Sequence, residues 1–165
     1  MLLALPLVLG LIAGQRLGEL WIARRNTRLL KARGGIEIGA AHYPLFIVLH
    51  IAWLVAIALL VPMDTPPNMA LIALLLVFQL GRLWTIASLG PYWTTRIITV
   101  PGAPLVRRGP YRFVRHPNYM IVAGEIAILP LAFGAWRIAL VFSILSAMLT
   151  LYRIHIENAA LDARV

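Results

Sequence analysis

The chain contains no cysteine, which excludes disulfides and thiolate metal sites and leaves the redox compartment open. Acidic residues are scarce as well, six against fifteen basic ones, and charges of both signs make up only 13% of the 165 positions. A soluble domain carries about 25% charged residues, and a short chain has proportionally more surface to cover. With 61% hydrophobic residues and a mean hydropathy of +0.86, the solvent for most of that surface is lipid. No two histidines stand at a metal-binding spacing, so no metal is expected. Serine-triad motifs and phosphate-cradling glycine loops are also missing.

What is present is a series of apolar runs. A transmembrane helix needs about 20 mostly apolar residues, and Leu2–Ile22, Tyr43–Val61 and Met69–Leu89 each qualify. Pro117–Phe133 is shorter and opens with proline at a favoured first-turn position. Gly134-Ala135-Trp136 is a tight connector, and Arg137–His155 completes an antiparallel hairpin. The fold class read from this pattern is an all-α integral membrane protein of about five helices. It forms a single domain over 1–165, without repeats. The first run is not a cleaved signal peptide, because its positive charges follow it.

Charge sets the expected topology. Arg24, Arg25, Arg28, Lys31 and Arg33 follow the first run; Arg96, Arg107, Arg108, Arg112 and Arg115 follow the third; Arg153 and Arg164 lie in the tail. The Asp64 loop has no basic residue, and the last hairpin has only Arg137. By the positive-inside rule the N-terminus is outside, and both long loops and the C-terminus are cytoplasmic. The net charge of +9 is therefore a topology signal and a contact with anionic lipids, not a nucleic-acid surface.

The long loop Gly90–His116 holds four prolines among arginines and aromatics, so it cannot form one helix. Trp93 and Arg96 read as headgroup anchors. The run from Arg107 to Tyr119 asks for more, because a helix N-terminus at Pro117 carries free backbone donors beside His116 and Tyr119. Such a place can hold a polar or anionic group. Arg153 and Glu157 are spaced i, i+4 and could form a simple ion pair, yet topology brings them to the same face. Within the spans, ionisable residues face the bundle or a wet cavity. Arg82 is the natural partner of Glu125, Arg16 can pair with Glu19, and His50 reads as a packed residue.

These residues have a family likeness. Leu105-Val106, Gly109-Pro110-Tyr111-Arg112, Arg115-His116-Pro117-Asn118-Tyr119 and the ending Arg153-Ile154-His155-Ile156-Glu157 resemble the isoprenylcysteine carboxyl methyltransferase family. The resemblance implies a site for S-adenosylmethionine at the cytoplasmic face. Its contacts would be Leu105, Val106, Gly109, Tyr111, His116, Pro117, Tyr119, Arg153 and Glu157. The methyl acceptor would be lipid-soluble and would enter from the bilayer. A carboxyl or enolic acceptor would already be ionised near neutral pH and need little base. A phenol would need one, and Glu125 or His116 is the candidate, with Arg82 steadying the developing anion. The chain looks most like a small bacterial branch of the plasma membrane, some of whose members O-methylate alkylpyrones or phenolic lipids. It departs from the family where Asn158 replaces a second glutamate. The Arg-His-Pro-Asn-Tyr turn also resembles NADPH-dependent sterol and steroid reductases, and a non-catalytic lipid-binding protein is the remaining alternative.

Overall fold

A computed structural model describes residues 4–162, with side chains through Ala160; Leu2, Leu3 and Arg164, invoked above, lie outside them. Helix α1 spans Ala4–Ala32, about 43 Å at 1.5 Å per residue. It runs ten residues past the apolar stretch, because charge does not stop a helix and no breaker occurs before Gly34-Gly35. The amide of Gly35 closes it by donating to the Leu30 carbonyl. Helices α2 (Tyr43–Leu60), α3 (Met69–Leu89), α4 (Pro117–Ala132) and α5 (Trp136–Asp162) follow. Among the described residues, four segments are long and apolar enough to cross a membrane: Ala4–Ala32, Ala40–Leu60, Met69–Tyr92 and Trp136–Ala160. Helix α4 is the shorter apolar one and forms the expected hairpin with α5.

The two long loops add what the hydropathy pattern did not reveal. Strand β1 (Ile36–Ile38) pairs antiparallel with β2 (Ile97–Thr99), Glu37 lying opposite Ile98. Glu37 accepts from Lys31 at 2.6 Å and from Arg96, so Arg96 is bound to a carboxylate instead of anchoring at headgroups. Arg96 also stacks on the Tyr43 ring, 4.4 Å from its centroid.

The buried apolar core lies at one end of the bundle. Leu5 and Ile12 of α1, Trp53 and Ile57 of α2, Leu75 of α3, Ile126 and Leu129 of α4, and Ile138 of α5 pack together. All of these lie far from the arginine-bearing loops, so the opposite, basic end is where the helices separate. Asn68 sets the levels. Its side chain caps α3 by accepting from Ala70 and Leu71, and its amide donates to the Ala132 carbonyl at 2.7 Å. From that shared level α3 runs 21 residues and α4 only 16. Helix α4 therefore begins about 7 Å short of the end of α3.

The α3–α4 contact is close because Gly124 lies under the Phe78 ring. A Cβ there would fall 2.1 Å from a ring carbon. Gly124→Ala is expected to cost about 1–3 kcal/mol by overpacking, read as a lower Tm in detergent. Phe78→Leu in the same chain should recover most of it, and an unchanged Tm would contradict the packing.

Burial works to raise the Glu37 carboxyl pKa, but Lys31 and Arg96 outweigh it and hold the group below its ordinary value. A depressed folded pKa stabilises the ribbon above the ordinary carboxylate range, and that stabilisation is lost as pH falls below it. Hydrogen exchange at the β1 and β2 amides, corrected for intrinsic rates, should speed up on acidification from about pH 6 to about pH 3. Glu37→Gln should abolish that dependence.

Candidate active site

The basic end encloses a cavity of about 630 Å³, within the range of about 300–1,000 Å³ typical of small-molecule sites. Its upper wall comes from the loops, α4 and α5. Tyr119, in the first turn of α4, donates its hydroxyl to Glu157 at 2.6 Å and accepts from Arg153 Nε at 2.7 Å. Arg153 Nη2 donates to the Thr95 carbonyl at 2.9 Å. The expected i, i+4 pair of Arg153 and Glu157 is thus bridged by a tyrosine from another helix. His116 stacks on Tyr119 with ring centroids 5.4 Å apart. Its Nε2 meets Asn158 Oδ1 at 3.0 Å, and its Nδ1 lies 3.6 Å from Glu157. Asn158 therefore serves to hold His116, a role a neutral amide fills as well as a charge would. Tyr111 also lines the cavity. Burial, with Glu157 nearby, pushes its phenol pKa well above the ordinary value, so it remains a proton-bearing donor.

Leu105, Val106, Tyr111, His116, Tyr119, Arg153, Glu157 and Arg82 all line this space, whereas Gly109, Pro117 and Glu125 do not. Gly109 has a local reason. Its φ is +57°, and a Cβ would fall 1.9 Å from Ser88 Oγ, so it lets the Gly109–Arg112 turn seat against α3. Arg108 fastens the same turn by donating to the Ser88 carbonyl at 2.7 Å. Pro117 starts α4. On the other side, Asn26 of α1 donates to the carbonyls of Gly90 and Trp93. Trp93 is 3% exposed on the cavity wall, not at a headgroup surface.

Glu125, 1% exposed, belongs to a four-charge cluster below. Arg82 donates to Glu19 through Nε at 2.5 Å and Nη2 at 2.6 Å, and approaches Glu125 at 3.4 Å. Arg16 joins Glu19 at 3.0 Å and also Glu125. The expected pairs, Arg16 with Glu19 and Arg82 with Glu125, are both present but fused into one neutral cluster whose strongest partner for Arg82 is Glu19. Arg16, Glu19 and Arg82 form the cavity floor together with His50, and Glu125 lies behind them. Sequence reasoning had set His50 aside. The signal available was depth: His50 stands seven residues into α2, and Arg82 seven before the end of α3.

The arrangement suits a ligand with a polar end at the upper wall and an apolar partner along α1 and α2. Residues 71–163 match the isoprenylcysteine carboxyl methyltransferase (ICMT) family. The chain belongs to that family. A Bacillus subtilis protein named "Uncharacterized protein YpbQ" is 39% identical over 160 residues, covering 94% of this chain and 95% of the relative. A Haemophilus influenzae "Uncharacterized protein" is 26% identical over 168 residues, 98% of this chain and 96% of the relative. No solved structure matches. The family match begins in α3, so the α1 and α2 side of the cavity lies outside it.

Removing one member of a buried ion cluster strands its partners, at a cost of about 3–5 kcal/mol. Arg82→Met should therefore lower thermal stability sharply in detergent, and Glu19→Met in the same chain should restore part of it. Additive losses would show that the two are not coupled.

Proposed function

We propose that this multi-pass membrane protein transfers a methyl group from S-adenosylmethionine to an oxygen of a lipid-soluble acceptor, at the cytoplasmic face. The observation that carries this reading is the cavity itself, in which a polar wall of His116, Tyr119, Arg153 and Glu157 faces an apolar one from Leu17, Leu20, Ile47, Ile51 and Leu54. Members of the family use S-adenosylmethionine, and the donor set fits it. Asn118 Oδ1 and Trp93 Nε1 are buried without a protein partner, and both residues line the cavity. They leave an acceptor for amine hydrogens and a donor for a ring nitrogen or carboxylate. Glu157 offers a carboxylate to the cofactor's positive charges, and Tyr111 a hydroxyl donor.

When bound, the cofactor supplies an electrophilic methyl group. The protein's share is position and dryness: such a transfer gains from an aligned, desolvated oxygen more than from covalent help. A lipid-soluble acceptor accounts for placing the site inside a membrane bundle. An alkylpyrone or phenolic lipid is the acceptor this reading favours over a prenylated protein. The compartment proposed is the bacterial plasma membrane, a reading supported by relatives from two bacteria.

Calorimetry on the detergent-purified chain should show micromolar binding of S-adenosylhomocysteine and none of NADPH. Binding of NADPH alone would favour a reductase, and no binding of either a lipid-binding protein. His116→Ala and Glu157→Ala should each weaken S-adenosylhomocysteine binding at least about tenfold, the scale of a lost charge-assisted hydrogen bond.

A further inference from the structure

We propose that His50 removes the proton from the acceptor, and that the acceptor is therefore a weakly acidic phenol, delivered un-ionised from the bilayer. This rests on the methyl-transfer reading and specifies its second substrate. The ring's Nδ1 lies 2.8 Å from the Phe46 carbonyl oxygen of its own helix. A carbonyl can only accept, so Nδ1 carries the hydrogen, and in the neutral ring Nε2 is a lone pair. Among the described residues Nε2 makes no hydrogen bond, Nδ1 carrying the ring's bond to Phe46, and the ring forms part of the cavity wall. His50 lies at the centre of the α2 face lining the cavity, which runs through Tyr43, Phe46, Ile47, Ile51 and Leu54.

The neighbours suit the products of that proton transfer. Arg16 and Glu19 of α1 and Arg82 of α3 share the floor with His50, and Glu125 of α4 stands behind them. Arg16 Nε is buried with no protein partner. The O–H bond of the acceptor breaks, the proton passes to His50 Nε2, and the electron pair stays on oxygen. The resulting anion lies on the floor that holds the two guanidiniums, and Glu19 lines that floor with the imidazolium. A carboxyl acceptor would be ionised at neutral pH and would leave this lone pair without a task. The floor lies about 10 Å inside the basic end of α2 and α3, within reach of a lipid headgroup entering between α1 and α2.

The test uses two long-chain probes, an alkylphenol and the corresponding alkyl nitrophenol, whose phenolate absorbs visible light. The nitrophenol bound to the detergent-purified chain, without cofactor, should ionise at lower pH than when bound to His50→Phe, by about one unit or more. An identical titration overturns the proposal. With cofactor, His50→Phe and His50→Gln (which keeps a donor for the Phe46 carbonyl) should methylate the alkylphenol about 10²–10⁴-fold more slowly. Above the pH at which the nitrophenol is ionised, they should methylate it within about threefold of the parent rate. Equal losses on both probes would mean a packing role and would overturn the assignment, as would methylation by the parent of a long-chain fatty acid but of neither phenol. Both variants should bind S-adenosylhomocysteine as the parent does. If the parent itself fails to bind it, the methyl-transfer reading fails, while the cofactor-free titration still reports on His50.

Discussion

The cluster of Arg16, Glu19, Arg82 and Glu125 divides this molecule in two. On one side of it lies the dry core around Trp53, Ile57 and Leu129; on the other lies the cavity. Helices in lipid gain little from burying apolar surface against one another, so polar contacts carry a larger share of their association. Here one neutral set of charges ties α1, α3 and α4 at a common depth. It also places polar groups on the floor of a space whose walls are otherwise apolar. A lone charge at that depth would be costly. Two of each sign, mutually bonded, are tolerated and stay available to a ligand.

The second constraint is the unequal length of α3 and α4. With their far ends joined through Asn68 and Ala132, the shorter helix leaves a recess at the basic end. The Gly109–Arg112 turn fills part of it, and His116 and Tyr119 look into the rest. Helix α5 passes the recess and brings Glu157 and Asn158 against them. The upper wall is thus a consequence of helix lengths, with the loop held by Asn26 and Arg108 so that Thr95 can accept from Arg153. The family match covers α4, α5 and most of α3, the helices that frame this recess. The match does not reach the α1 and α2 wall, which is read from this chain's own residues.

Legibility followed the range of the interaction. The spans, their rough ends and the α4–α5 hairpin could be read from the sequence, because hydropathy and helix breakers act within one segment. The pairing of Arg16 with Glu19 was legible for the same reason, being three residues apart on one helix. The β1–β2 ribbon was not: three residues on each side, some sixty apart, leave no periodic signal. Arg96 and Trp93 were misread as membrane anchors because an aromatic or arginine beside a span looks the same whether it meets lipid or folds inward onto Glu37 or the cavity.

Composition and motif order by themselves determined that the chain lives in a membrane, that its arginine-bearing loops share one face, and that the Leu105–Tyr119 stretch and the end of the last helix belong together. Each of these depends on local free energies, summed residue by residue. Only the tertiary structure decided that Glu125 is a hidden tie and not a wall residue, that Tyr119 stands between Arg153 and Glu157, and that His50 shares a floor with two arginines. These depend on how far one helix is displaced along another, and a shift of a single turn, about 5.4 Å, would undo all three.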